Sequence, residues 1–120
     1  MSATGSKYTV LYVFTPGCMS CARDLPNLHS LAAQAGRRYR LLAVSLTADQ
    51  LDAYLKEHDL NFGVYALTGN AAISGLTLTG TPSTFVISSE RRVVASWLGA
   101  FQKQARSEIE RFLDIRLPNL

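Results

Sequence analysis

Cys18 and Cys21 are the residues whose type and spacing point most directly to chemistry, and they are the only cysteines among 120 residues. Met19 and Ser20 separate them at the start of a stretch with helical periodicity. Residues three apart on a helix share a face, so the two sulfur atoms can meet in a disulfide. Unpaired N–H groups at a helix N-terminus also favour an anionic thiolate. The spacing therefore predicts a dithiol that is reversibly oxidised and reduced.

A disulfide across so short a loop would be a weak structural brace. In the chain-entropy model, a ring of about four residues stabilises a fold by only about 2 kcal/mol, less than longer loops give. An anion at a favourable helix end gains up to about 2 kcal/mol. These magnitudes favour a working thiol at Cys18 over a structural staple.

Zinc binding and core packing are two other interpretations of the cysteine pair. Half of a zinc site is one, but His29 and His58 lie at no usual zinc spacing and no second cysteine pair exists. Two unreactive core thiols are the other, because free cysteine packs as a small hydrophobe. The strand-turn-helix context favours redox chemistry, with no metal and no bound cofactor.

The elements around the pair alternate between strand and helix patterns. Strands are predicted at 8–14, 39–46, 84–88 and 93–98, with an extended piece at 64–67. Helices are predicted after the cysteines, at 49–58 and at 102–115, with Thr47 or Asp49 capping the second and a helical turn near 71–75. The order, βαβα and then ββα, predicts an α/β fold around a mixed central sheet.

Composition indicates one domain over 7–120, preceded by a small polar tail over 1–6. The chain is 48% hydrophobic, enough for a single core. Its net charge of +3 resides partly in arginine clusters at predicted turns, so we expect solvated loops and no nucleic-acid partner. No segment is predicted to span a membrane, and we expect a monomer. The tail is interpreted as flexible, or as residues left by cloning in place of a removed signal or anchor.

Two blocks of sequence, VFTPGCMSCARDLPNLHSLA and GTPSTFVISSERRVVASWLGAF, together resemble a known family. They are similar to the TlpA-like branch of extracytoplasmic thiol-disulfide oxidoreductases, which have the thioredoxin fold. The resemblance implies that Cys18 is the exposed nucleophile and Cys21 the more buried resolving thiol. It also implies that Pro82 is a cis-proline facing the dithiol, with the Thr81 backbone free to pair with an extended substrate.

Asp24 and Pro26 also match positions of that family. The family usually has Glu where this chain has Asp24, and one turn from Cys21 this acid could accept the resolving thiol's proton. A solvated first-turn acid that aids the helix dipole is an equally open interpretation of Asp24. Pro26 is expected to kink the helix just past the cysteines, because it lacks an N–H.

Three departures from the family pattern concern the surroundings of the dithiol. Gly17 stands where the family commonly has Trp, which removes an aromatic wall beside the substrate. The pair between the cysteines, Met19 and Ser20, contains no proline. Tyr12 replaces the buried Asp of thioredoxins proper, so we expect that proton acceptor to be missing, which favours the TlpA-like branch.

These features predict an enzyme that reduces or exchanges disulfides in protein substrates and is recharged by an upstream thiol electron donor. Gly17, Met19, Ser20, Thr81 and Pro82 are the predicted substrate contacts. The resemblance implies a periplasmic or otherwise extracytoplasmic location, with a cytoplasmic one as the alternative. Two other functions remain open: a peroxiredoxin-like thiol peroxidase, because residues 15–18 echo a T-x-x-C motif, and a redox-regulated chaperone module that holds peptides.

Overall fold

A single mixed sheet organises the computed structural model, which describes residues 8–36, 39–60, 62–66 and 80–118. Its strands run in the order β3-β2-β1-β4-β5 across the sheet. Their bounds are β1 Tyr8–Phe14, β2 Tyr39–Ser45, β3 Val64–Ala66, β4 Ser83–Ser88 and β5 Val93–Leu98. The mixed sheet confirms the predicted α/β class.

The central strand, β1, decides where the cysteines lie. It pairs in parallel with β2, where Phe14 lies opposite Ser45, and antiparallel with β4, where Val13 lies opposite Ser83. Because β1 lies between two other strands, its residues 10–14 are buried, and they form a continuous apolar run. The segment after β1 and the segment before β4 consequently meet at one edge of the sheet.

Four helices complete the described part of the chain: α1 Met19–Arg23, α2 Leu25–Gln34, α3 Leu51–Glu57 and α4 Lys103–Leu113. Side chains of α2 and α4, among them Leu28, Leu31 and Ile109, pack in the main core with Val10 of β1. A smaller cluster that includes Leu11 lies on the opposite face, as the alternation of strand side chains requires. None of the helices in the described ranges is long and apolar enough to cross a membrane.

The helix that follows the cysteines is divided at Asp24. This residue ends α1 and begins α2, with φ −87° and ψ −2°. Pro26 lies in the first turn of α2 and has no N–H to donate to a carbonyl of α1. The division agrees with the interruption expected from Pro26.

The predicted cap of α3 is wrong. Neither Thr47 nor Asp49 caps it; its N-cap is Gln50, which has φ 60° and makes no side-chain capping bond. The hydroxyl of Thr47 accepts a hydrogen bond from the backbone N–H of Asp49 at 3.1 Å, so it stabilises the preceding turn instead. The helix therefore starts two residues later than predicted, with Leu51 buried.

Three predicted segments extend partly or wholly beyond the residues that the structure describes. The extended piece predicted at 64–67 is β3, which ends at Ala66. The helical turn near 71–75 and the tail at 1–6 lie outside the described residues.

Candidate active site

Cys18 and Cys21 form a disulfide at the start of α1, with their Cα atoms 5.2 Å apart. Cys18 is the N-cap of the helix, and its Sγ accepts a hydrogen bond from the backbone N–H of Cys21 at 3.1 Å. A preceding turn, closed by Cys18 N–H and the Thr15 carbonyl at 3.3 Å, brings the chain from β1 into α1. Because Gly17 in this turn has φ +89°, a side chain here would be strained although space is open. The positive φ therefore favours glycine at this position.

The two sulfurs differ in exposure. Cys21 is only 2% exposed, whereas Cys18 is half-buried and faces a rim of exposed residues. Met19 is 77% exposed, and Gly17 and Ser20 are also exposed. Cys18 is therefore the more accessible of the two cysteines from solvent.

The segment before β4 lies directly beside Cys18. The Thr81 carbonyl oxygen is 3.5 Å from Cys18 Sγ, a contact that the thiol of the reduced form could make as a hydrogen bond. The Thr81–Pro82 peptide bond is cis, and Pro82 is buried. Gly99 N–H donates to the Pro82 carbonyl at 2.7 Å, which ties the segment to the end of β5.

Leu98 is a rim residue that the sequence reading did not assign to the site. It ends β5, pairs with Ser83 and is 63% exposed. A Cβ built on Gly80 would lie 3.5 Å from Leu98 Cδ1, so the leucine covers the residue before Thr81. Its signal in the sequence was an apolar residue at a predicted strand end, but only the β4–β5 register places it near the dithiol.

Asp24 is fully buried, so the solvated-acid interpretation is wrong. Its Oδ2 accepts a hydrogen bond from the Tyr12 hydroxyl at 2.7 Å. Its Oδ1 accepts from Asn27 Nδ2 at 2.8 Å and from the backbone N–H of Phe101 at 2.9 Å. Cys21, whose sulfur is held in the disulfide, is not among these donors. Asp24 thus joins β1, α2 and the segment before α4 beneath the active site.

Burial is the largest influence on this carboxyl group, and it raises the pKa of Asp24 above the ordinary value. The hydrogen bonds from Phe101, Asn27 and Tyr12 oppose burial because they stabilise the ionised form. Burial also raises the pKa of Tyr12, followed by the effect of the nearby Asp24 charge. The Tyr12 hydroxyl therefore keeps its proton and remains a hydrogen-bond donor.

Tyr12 donates a hydrogen bond, so the buried acid of thioredoxins proper is missing at this position, as expected. A buried carboxylate is present, but Asp24 supplies it from the helix junction and Tyr12 binds it. Asn27 was also missed, since an isolated asparagine on a helix carries no local signal of its contacts. Phe101 has two contacts here: its ring packs edge-on against Tyr12 at 6.2 Å, and its backbone N–H donates to Asp24.

His29 and Trp97 make contacts that join secondary-structure elements away from the dithiol. His29 Nε2 lies 2.9 Å from the His58 carbonyl oxygen and joins α2 to the end of α3. Trp97 packs edge-on against Phe112 at 6.4 Å. Within 8–36, 39–60, 62–66 and 80–118, no group of three His, Cys, Asp or Glu residues could hold a metal ion.

Comparison with known proteins gives matches among solved structures. No family model matches the sequence, and no curated protein is significantly similar to it. StoA from Bacillus subtilis superposes with a TM-score of 0.69 at 17% identity, over 82% of this chain and 78% of StoA. The thioredoxin domain of a thiol-disulfide oxidoreductase from Bacteroides vulgatus gives 0.72 at 17% identity, over 92% and 81%.

A third match is the exposed lipoprotein thioredoxin of Streptococcus pneumoniae strain TIGR4. Its TM-score is 0.67 at 19% identity, over 92% of this chain and 87% of the pneumococcal one. All three structures are thioredoxin-like, and at these identities the likeness establishes the fold. This chain therefore has the thioredoxin fold, with a Cys18–Cys21 disulfide at the start of its first helix.

Proposed function

We propose that this protein is a TlpA-like thiol-disulfide oxidoreductase that reduces or exchanges disulfides in protein substrates. The observation that carries the proposal is the asymmetric pair: a half-buried Cys18 beside the Thr81 carbonyl, joined to a buried Cys21. Such an asymmetry suits one thiol for attack and the other for resolution. The pair itself carries the two electrons, so the reaction requires no bound cofactor.

The reaction proceeds in two exchanges. The Cys18 thiolate attacks one sulfur of a client disulfide, forming a mixed disulfide and releasing the other client sulfur as a thiolate. The Cys21 thiolate then attacks Cys18 Sγ, which releases the second client thiolate and leaves the Cys18–Cys21 disulfide. An upstream thiol donor returns two electrons and restores the dithiol. The N–H of Cys21, 3.1 Å from Cys18 Sγ, would stabilise negative charge on that sulfur.

Asp24 is the proposed acceptor of the proton from Cys21. Asp24 follows Cys21 by three residues at the end of α1, and both residues are buried. An ionised carboxylate has about four lone-pair sites, and three of those of Asp24 are filled by its donors. One site on Oδ2 remains for a thiol proton. The raised pKa of Asp24 brings this acid closer to the pH at which a thiol gives up its proton.

The client is proposed to bind along the rim of the site. The Thr81 backbone, next to Pro82, would pair with an extended client segment, while Gly17 and Ser20 leave the approach to Cys18 open. Met19 and Leu98 add two largely exposed apolar side chains. This combination favours client segments with an apolar residue near the reactive cysteine.

An extracytoplasmic location and a monomeric state are also part of the proposal. The resemblance to the TlpA-like branch supports the location, as does the description of the pneumococcal neighbour as an exposed lipoprotein. The upstream donor would then be a thiol protein of the same compartment.

The assigned cysteine roles can be tested by trapping. With an oxidised client such as insulin, Cys21→Ser should accumulate mixed disulfides through Cys18, because the resolving thiol is missing. The Cys18→Ser variant is the matched control, and it should neither trap the client nor reduce it. Non-reducing gels and mass spectrometry identify the adducts. Trapping by Cys18→Ser alone, in a folded protein, would reverse the two roles.

The same proteins separate the two other functions. Peroxide consumption by the wild type without reduction of insulin would favour a thiol peroxidase. Client binding that is unchanged after both cysteines are replaced by serine, without turnover by the wild type, would favour a chaperone module.

A further inference from the structure

We propose that Tyr12 is a positioning residue that keeps Asp24 ionised and presents its Oδ2 atom to the thiol of Cys21 during resolution. The inference rests on the proposed oxidoreductase function and adds to it a residue outside the cysteine motif. Its basis is the buried Tyr12–Asp24 contact between the central strand and the helix junction.

Tyr12 is held firmly in place. It lies in the middle of β1, the central strand of the sheet, and is 1% exposed. The Phe101 ring packs edge-on against it at 6.2 Å, and the Phe14 ring lies 6.3 Å from it. Both packing and strand pairing thus fix the direction in which its hydroxyl points.

The two oxygens of Asp24 are not equivalent. Oδ1 accepts from Asn27 and from the Phe101 N–H, so both of its lone pairs are in use. Oδ2 accepts only from Tyr12 in the described residues and retains one lone pair. Because Tyr12 fixes Oδ2, it also fixes the direction from which the free lone pair can take a proton.

In the proposed step, Cys21 is deprotonated as it attacks the mixed disulfide. The S–H bond of Cys21 breaks, its proton moves to Asp24 Oδ2, and the electron pair stays on sulfur. That sulfur forms a bond to Cys18 Sγ while the mixed disulfide breaks, and the client leaves as a thiolate. The Asp24 proton is afterwards released to solvent or to the departing thiolate.

Tyr12 acts on Asp24 in the direction that the step requires. Burial disfavours the ionised carboxylate, whereas a donated hydrogen bond stabilises it. Tyr12 cannot lose this function by ionising near neutral pH, because burial raises its own pKa. The titratable groups that face the pair or lie one contact beyond it are the two cysteines and two residues of α3, Tyr54 and Glu57. His58 follows α3, and its ring is tilted against that of Tyr54 with the centroids 4.4 Å apart.

Tyr12→Phe removes the hydroxyl and little else, and Tyr39→Phe is a matched control. Tyr39 is also fully buried, but its hydroxyl donates to the Leu31 carbonyl at 2.6 Å. The Asp24 carboxyl titration is followed by ¹³C NMR in the reduced protein, with Asp24→Asn identifying the signal. In parallel, the rate of client release from the Cys18 mixed disulfide is measured against pH.

In Tyr12→Phe, the Asp24 titration should move to higher pH because the carboxylate has lost a donor. At pH values below the Asp24 titration, client release should be about tenfold slower than in the wild type, and it should recover above the titration, since a lost hydrogen bond to a charged group has this magnitude. Tyr39→Phe should change neither measurement.

An unmoved Asp24 titration in Tyr12→Phe would overturn the inference while leaving the oxidoreductase function intact. A slow release that does not recover at high pH would also overturn it, because Tyr12 would then be passing a proton itself. If Tyr12→Phe does not fold, the NMR signal of the Tyr12 ring is followed in the wild type instead. This signal should shift as Asp24 titrates, and the absence of a shift would contradict the Tyr12–Asp24 contact. Absence of insulin reduction by the wild type would instead reject the proposed function.

Discussion

Asp24 and Glu108 are two acids with similar partners and opposite behaviour. Asp24 accepts hydrogen bonds from the Tyr12 hydroxyl at 2.7 Å and from the side-chain amide of Asn27 at 2.8 Å. Glu108 accepts from Trp97 Nε1 at 2.9 Å and from the side-chain amide of Gln104 at 3.2 Å. Yet the pKa of Asp24 is raised, chiefly by burial, and that of Glu108 is lowered, chiefly by the Trp97 hydrogen bond.

The difference shows that donors alone do not set the proton affinity of a carboxyl group. Glu108 lies on α4 at the surface, where water still solvates its charge and each donor adds to that stabilisation. Asp24 contacts three hydrogen-bond donors in the core instead of water. These donors only partly compensate for the solvation that the carboxylate loses on burial. Burial thus raises the proton affinity of Asp24, whereas contact with water leaves Glu108 with a lowered one.

The largest expected effect is a loss of stability when Asp24, but not Glu108, is replaced by alanine. Asp24→Ala leaves the Tyr12 hydroxyl, the Asn27 amide and the Phe101 N–H buried without their acceptor. Because each unsatisfied donor costs about 1 to 3 kcal/mol, the free energy of unfolding should fall by at least about 3 kcal/mol. Glu108→Ala, the matched control, should leave it nearly unchanged because its donors return to water. Urea unfolding measures both, and equal losses would contradict the comparison.

The two acids should also affect the pH dependence of stability, by smaller amounts and in opposite directions. The folded protein binds the Asp24 proton more tightly than the unfolded chain, so the stabilisation by Asp24 is greatest below its ordinary pKa of 3.8. It falls as the pH rises through the raised pKa. Glu108 contributes stability above its ordinary pKa of 4.5, and this is lost as the pH falls through the lowered one.

The measurement is urea unfolding across acidic and neutral pH, with each mutant subtracted from the wild type. The wild type should lose stability relative to Asp24→Asn as the pH rises, and gain it relative to Glu108→Gln. Added salt should weaken only the Glu108 difference, because exposed charges are screened. Slopes of the same sign for the two acids would reject the assignment of burial as the deciding factor.

The smallest effect should be optical. Trp97 is the single tryptophan of the chain, and its indole N–H donates to Glu108. Protonation of Glu108 weakens this hydrogen bond, so Trp97 emission should change with a midpoint below 4.5. The change should vanish in Glu108→Gln and persist in Asp24→Asn. A fluorescence midpoint above 4.5 would contradict the lowered pKa.

The strands and the cysteine pair were predictable because their signals are local. The apolar run of β1, the two β-branched or aromatic runs of the β4–β5 hairpin and the periodicity of α4 each lie within a dozen residues. The interruption at Asp24 followed from Pro26 for the same reason. The start of α3 was mispredicted because Thr47 had two local uses for its hydroxyl, a cap or a turn, and sequence alone does not rank them.

The site beyond the cysteines was less accessible to sequence. Asp24 was singled out, but its spacing from Cys21 was equally compatible with a solvated acid. Leu98 entered the rim only through the register of β4 with β5. Such residues give no periodic signal, because their neighbours come from distant parts of the chain.

The sequence by itself determined the adjacency of Cys18 and Cys21 on a first helical turn, since four consecutive residues fix that geometry. Tertiary structure decided the state of Asp24. The Phe101 N–H that binds it is 77 residues away along the chain, and Tyr12 reaches it from the central strand. Whether a carboxylate meets water or three buried donors depends on how helices and strands dock. Proton affinity is therefore a property of the packed fold, whereas the disulfide spacing is a property of the chain.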